Sequence, residues 1–122
     1  MKVVYYSVTG QVKRFIQKLD MDVYQIDNDM PCVEINEEFV LIVPTYDEEM
    51  TTVVNTFLDY KSNTNYFKGV IGSGNRNFAE LFVFTAKTIA KKYNVPLLYA
   101  FEYSGTKEDI DNVRKVVKEI ES

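Results

Sequence analysis

Short runs of apolar residues alternate along the chain with segments whose apolar positions recur three and four residues apart. Val3-Val4-Tyr5-Tyr6 opens the chain as a strand, and Val12, Phe15, Ile16 and Leu19 then predict a helix over 10–19. Val23 to Ile26 reads as a short second strand. Residues 28–38 carry turn residues and Pro31 without a helical stripe, so they read as a loop or an abbreviated crossover. Phe39 to Val43 is a continuous apolar run closed by Pro44, the pattern of a strand buried on both faces. Val53, Val54, Phe57 and Leu58 mark a helix over 51–60, with 63–65 as its exit, and Phe67 to Ile71 predicts a fourth strand. Ala79, Phe82, Val83, Ala86, Ile89, Ala90 and Tyr93 keep helical spacing and predict the longest helix, stopped by Asn94 and Pro96. Pro96 to Tyr103 is the fifth strand. Thr106 with Asp109 three residues later has the form of a capping box, and Ile110, Val113, Val117 and Ile120 mark the last helix.

Strands alternating with helices predict an α/β protein built on one parallel sheet, with right-handed crossovers placing helices on both faces and residues 1–122 forming one domain. In such sheets a ligand lies beyond the carboxyl ends of the strands, beside a topological switch point. Three segments meet there: Ser7 to Val12, Thr45 to Met50, and Gly72 to Phe78.

Composition narrows the chemistry. The 122 residues carry 14 Lys and Arg against 18 Asp and Glu, a net charge of -4, which disfavours nucleic acid as the main partner and suits docking to a basic patch on another protein. There is no His, which removes the usual general base and every Ser-His or Cys-His arrangement, and neither catalytic residues nor a metal site is expected. Cys32 is the single cysteine, and a reducing cytoplasm is the simplest setting. No segment reads as a signal peptide or membrane span, and a monomer is expected.

Ser7-Val8-Thr9-Gly10-Gln11-Val12 lies between the first strand and the first helix, where the unpaired N–H groups of a helix start point at an anion. Ser7 and Thr9 add hydroxyl donors, and Gly10 lets the backbone come close. The plainer reading is that Thr9 only caps the helix. Gly72-Ser73-Gly74-Asn75-Arg76-Asn77-Phe78 leaves main-chain groups free to face a planar polar ligand, with Phe78 as an aromatic wall. Its plainer reading is an Asn/Gly turn with Arg76 in solvent.

These segments carry a resemblance. Tyr6-Ser7-Val8-Thr9-Gly10-Gln11-Val12 with Arg14-Phe15, Gly69-Val70 through Gly74-Asn75-Arg76-Asn77-Phe78, and Pro96 to Phe101 with Ser104-Gly105-Thr106-Lys107 resemble the flavodoxins of the NrdI type, which are associated with class Ib ribonucleotide reductase. The resemblance covers nearly the whole chain. It implies a flavodoxin-like three-layer sandwich with a five-stranded parallel sheet of order 2-1-3-4-5. It implies non-covalent FMN, with the phosphate on Ser7, Val8, Thr9, Gly10, Gln11 and Val12. The ring would lie between Thr45, Tyr46 and Asp47 on one side and Ser73, Gly74, Asn75, Asn77 and Phe78 on the other. The implied partners are the dimanganese radical subunit of the reductase, dioxygen, and an unidentified flavin reductant. The reduced flavin would make superoxide or a related oxidant for tyrosyl-radical assembly.

Many relatives have a glycine after the third strand whose peptide can turn its carbonyl to the reduced flavin N5. Thr45-Tyr46-Asp47-Glu48-Glu49-Met50 has none, so that turn would cost about 1 kcal/mol or more. Asp47, Glu48 and Glu49 read either as a solvated helix start or as charge near the flavin that would disfavour its anionic hydroquinone. Arg76 is either a ligand of the flavin edge or a docking contact.

Other functions remain in view. A phosphoacceptor receiver domain would need an acid pair where Tyr6-Ser7 stands, and a cysteine phosphatase would need its nucleophile at a strand-to-helix turn, where Cys32 is not. A general electron-transfer flavodoxin and a flavin-free α/β interaction module are the remaining alternatives.

Overall fold

A computed structural model of the chain describes residues 1–45, 48–77 and 82–121, with the backbone alone for 48–50. Five strands, β1 (Lys2–Tyr5), β2 (Val23–Gln25), β3 (Phe39–Pro44), β4 (Phe67–Gly74) and β5 (Leu97–Glu102), pair in parallel in the order β2-β1-β3-β4-β5. Helices α1 (Gln11–Leu19), α2 (Glu48–Asp59), α3 (Asn63–Tyr66), α4 (Phe84–Tyr93) and α5 (Lys107–Glu121) complete the fold. The order is the one implied for a flavodoxin-like sheet, with the switch point between β1 and β3.

The pleat of β3 divides the core. Phe39, Leu41 and Val43 point into one layer with Val54, Phe57 and Leu58 of α2 and Ala86 and Ile89 of α4. Val40 and Ile42 point into the other, with Val12, Phe15, Ile16 and Leu19 of α1 and Ile110, Val113 and Val117 of α5. Phe39 lies within 5.8 Å of the Phe57 ring and 5.4 Å of the Phe67 ring, and Phe15 stacks on Phe101 at 4.1 Å. The apolar run of β3 is therefore buried on both faces, as its composition predicts.

Three elements depart from the expectation. β4 runs on to Gly74, because Gly72, Ser73 and Gly74 pair in register with Ala100, Phe101 and Glu102 of β5, and sheet pairing overrides their turn preference. The helix expected from Ala79 is described only from Phe84, since Val83 adopts a left-handed conformation at its N-cap (φ 49°) and is buried against Gly72 and Gly74. Residues 78–81 lie outside the described residues. Consequently α5, at 15 residues, is longer than α4, at 10.

The third departure is α3, where an exit was expected. Asn63, fully buried, holds the irregular crossover in place of a helix. Its Oδ1 accepts the Ile35 N–H at 2.9 Å, and its Nδ2 donates to the Val33 and Phe57 carbonyls at 2.8 Å each. Both amide hydrogens and the amide oxygen thereby have partners, which is what a buried Asn requires. The chain between β2 and β3 is thus tied to α2 and α3 without a helix of its own, with Ser62 Oγ donating to Glu34 Oε2 at 2.8 Å as a second link. Asn63→Ala removes three hydrogen bonds and strands the part-buried Ile35 N–H. Urea denaturation is expected to show a loss of about 2–4 kcal/mol, and a loss below about 1 kcal/mol would mean that the segment is held otherwise.

Candidate functional site

Parallel pairing brings the ends of β1, β3, β4 and β5 to one edge of the sheet, so the segments that follow them are neighbours. After β1 the chain passes Ser7, Val8 and Thr9 and turns at Gly10, whose φ of 90° is readily available only to glycine, before α1 begins at Gln11. Thr9 does not cap the helix; Gly10 is the N-cap and makes no side-chain cap. Ser7 Oγ accepts the Lys13 N–H at 3.3 Å, and the Arg14 N–H bonds to the Gly10 carbonyl at 3.0 Å. No acceptor among the described residues takes the N–H groups of Val8, Thr9, Gly10, Gln11 or Val12.

A row of unpaired donors at a helix start, with the positive end of the α1 dipole behind it, is an arrangement that can hold an anion. Acidic groups stand close by: beyond Ser7 a hollow is lined by Gln25, Asp27, Asn28 and Asp29. Tyr6 hydrogen-bonds Asn28 there, and burial is the main cause that pushes its phenol above the usual value, against the lowering effect of that bond.

The ends of β3, β4 and β5 are stitched together. Thr45 Oγ1 donates to the Ser73 carbonyl at 2.9 Å, Ser73 Oγ donates to the Tyr103 carbonyl at 2.6 Å, and the Tyr103 N–H donates to the Gly74 carbonyl at 3.1 Å. Ser73 is buried and its hydroxyl proton is committed to Tyr103. Beyond Gly74, Asn75 Oδ1 accepts the Asn77 N–H at 2.9 Å and sets the turn.

Arg76 is held on two sides. Its Nε lies 3.2 Å from Glu102 Oε1, its own N–H donates to Glu102 Oε2 at 3.2 Å, and its guanidinium lies 4.6 Å from the centre of the Phe82 ring. Glu102 and Tyr103 are the edge residues that reading the sequence missed. The signal was an acid and a tyrosine closing an otherwise apolar strand; the parallel register that sets Glu102 opposite Gly74 makes it legible. Tyr103 itself is half exposed and left-handed at φ 54°.

Arg76, Glu102, Tyr103, Ser104, Thr106 and Asp109 line a cleft beside this loop. The capping box is formed as expected: the Asp109 N–H donates to Thr106 Oγ1 at 3.2 Å, and the Thr106 N–H donates to Asp109 Oδ2 at 2.8 Å. Burial raises the Asp109 carboxyl, but hydrogen bonds from Tyr99 and Thr106 and the charge of Arg76 outweigh it and leave it below the ordinary value.

Of the expected ligand residues, Val8 to Val12 form the donor row with Ser7 at its start, and Thr45, Ser73, Gly74, Asn75 and Asn77 stand on the adjoining strand ends. Tyr46, Asp47 and Phe78 lie outside the described residues, as does the glycine-free peptide after Thr45. The described backbone of α2 starts at Glu48, so Glu48 and Glu49 do open a helix. Among the described residues no group of His, Cys, Asp or Glu is placed to hold a metal ion, and no helix is long and apolar enough to cross a membrane.

Comparison with known proteins bears on this edge. Residues 3–115 match the family model described as NrdI flavodoxin-like. The chain is 41% identical over 119 residues to Protein NrdI of Bartonella henselae, covering 93% of this chain and 90% of that protein. It is 40% identical over 125 residues to Protein NrdI of Escherichia coli, covering 97% and 92%. Among solved structures it resembles a flavodoxin of Streptococcus pneumoniae (TM-score 0.65, 19% identity, 98% and 96% covered). It also resembles a short-chain flavodoxin associated with a bacterial microcompartment (TM-score 0.60, 21% identity, 98% and 94% covered).

The closeness of α4 to β4 gives a direct test of how the edge is built. A Cβ at Gly72 would lie 2.7 Å from Ala86 Cβ and 2.8 Å from Val83 Cβ, both too close to keep. Gly72→Ala is expected to cost roughly 1–3 kcal/mol in chemical denaturation, because two packed backbones must part. A neutral Gly72→Ala would show that α4 is not seated on β4 as described.

Proposed function

Since the chain belongs to the NrdI flavodoxin-like family, we propose that it binds FMN and supplies a reduced oxygen species to the dimanganese radical subunit of a class Ib ribonucleotide reductase. The observation that carries this reading is the row of N–H groups from Val8 to Val12 without an acceptor among the described residues, beside the switch point of the sheet. A phosphate monoester fits that row: it brings several acceptor oxygens and a charge that the helix dipole favours. Ser7 and Thr9 supply hydroxyls at the same turn, and Gln11 and Val12 supply the first helical N–H groups.

The ring would lie over the neighbouring strand ends. Thr45, Gly74, Asn75 and Asn77 would face it from the described part of the edge, with Ser73 supporting the loop through Tyr103; Tyr46, Asp47 and Phe78, which lie outside the described residues, belong to the proposed seat by their place in the sequence. Glu102 orients the loop through Arg76. A chain without histidine offers no side chain poised as a base near neutral pH, so the protein's work is binding, orientation and control of access. The bound cofactor supplies the electrons: one passed to dioxygen gives superoxide, and two with two protons give hydrogen peroxide. An electron-donating protein must reload it. With one exposed, unpaired Cys32 the chain suits a reducing cytoplasm, and we take it to act there as a monomer.

The test is to reduce the FMN-loaded protein without oxygen and then add dioxygen and the manganese-loaded radical subunit. A tyrosyl-radical signal in the subunit, absent when this protein is left out, is the expected outcome. A flavin that cycles without yielding the radical would make the protein a general electron carrier, and failure to bind FMN would leave only a flavin-free interaction module.

A further inference from the structure

Helix α4 carries a face that the proposed cofactor seat does not use. Phe84 opens the helix 48% exposed, and Lys87, Thr88 and Lys91 follow three, four and seven residues later, on the same side, with Lys92 beside them. Together they line one shallow concavity. The helix carries no acid, and among the described residues Lys87, Lys91 and Lys92 enter no ion pair. Lys92 lies 5.4 Å from the centre of the Tyr93 ring.

A solvated helix commonly mixes signs at spacings of three and four, as the excess of acids in this chain would readily allow. Here three lysines and no acid fall within ten residues, on a protein whose net charge is -4, and Phe84 stands exposed at the head of their row. Lys91 and Lys92 in the last turn also suit the helix dipole, but Lys87 and the exposed ring do not follow from it. An exposed ring leading a row of cations suits docking: the ring offers area to bury, and the charges select an acidic counterpart.

Its position gives it a role. Val83 is buried against Gly72 and Gly74, so Phe84 stands near the carboxyl edge of the sheet, where Arg76 is paired with Glu102 and lies against Phe82. Lys91 lies two turns along the helix, about 10 Å away. The stripe therefore runs from the edge of the cofactor seat down one flank of the molecule.

We propose that Phe84, Lys87 and Lys91 form a docking face for an acidic protein surface with an apolar centre, and that this surface belongs to the radical subunit; the second half rests on the function proposed above. A partner seated here is brought against the carboxyl edge, where the oxidant leaves. A polyanion such as duplex DNA is the lesser fit, because the net charge of -4 repels it and the concavity includes an exposed aromatic ring.

The experiment measures affinity of the FMN-loaded protein for the manganese-loaded radical subunit at two salt concentrations. The variants are Lys87→Glu with Lys91→Glu, Phe84→Ser, and Lys115→Glu on the exposed side of α5 as a control. The first two are expected to weaken binding about tenfold or more with the flavin spectrum unchanged, and the charge reversal is also expected to flatten the salt dependence. The control should stay within about twofold. Variants that bind like wild type overturn the face and leave the function standing. Displacement of the subunit by duplex DNA overturns the choice of a protein partner. A wild-type protein that does not bind the subunit removes the proposed function, and the occupant assigned to this face falls with it.

Discussion

Five consecutive N–H groups, Val8 to Val12, stand without an acceptor among the described residues at the carboxyl edge of the sheet. It follows from topology. The chain leaves β1 for β2 on one side and returns to β3 on the other, so the loop after β1 lies over a split that no crossover covers. The left-handed turn at Gly10 then points a run of donors outward before α1 can use them. An exposed donor row costs little in water but gains much from a multivalent anion, whose charged oxygens make hydrogen bonds of about 1.5–3 kcal/mol each.

The adjoining strand ends answer a different requirement, which is to hold a loop of small and amide residues in one shape. The links Thr45 to Ser73, Ser73 to Tyr103 and Tyr103 to Gly74 run through buried or main-chain groups, worth about 1 kcal/mol each. The Arg76–Glu102 pair is more exposed and worth at most about 1 kcal/mol by itself. Its effect is geometric: Glu102 takes both the side chain and the main-chain N–H of Arg76, so the turn after Gly74 is fixed to β5. The two readings of Arg76 taken from sequence, ligand or docking contact, are thus joined by a third, a clasp within the protein.

The architecture was legible because apolar periodicity reports burial, and the central strands of this sheet are buried on both faces. The run from Phe39 to Val43 and the stripes of α1 and α5 read directly into the two core layers. The capping box at Thr106 and Asp109 was legible for the same local reason. What was hidden depends on contacts distant in sequence. Gly72 to Gly74 are turn formers by propensity, yet β3 and β5 hold them as strand. Asn63 looks like a helix exit until the carbonyl of Val33 and the N–H of Ile35 are found against it, and Glu102 gains meaning only across the sheet from Gly74. Motif residues mark where a ligand is expected, while the residues that hold the motif carry no local mark.

The central claim is that the Val8–Val12 donor row is a phosphate seat. It is tested most directly by titrating the cofactor-free protein with FMN and with riboflavin, which share the ring and differ in the phosphate, and following quenching of flavin fluorescence. FMN is expected to bind at least about 100-fold more tightly, the difference made by two or more charge-assisted hydrogen bonds. Equal affinities would mean that the row does not hold the phosphate, and would contradict the account.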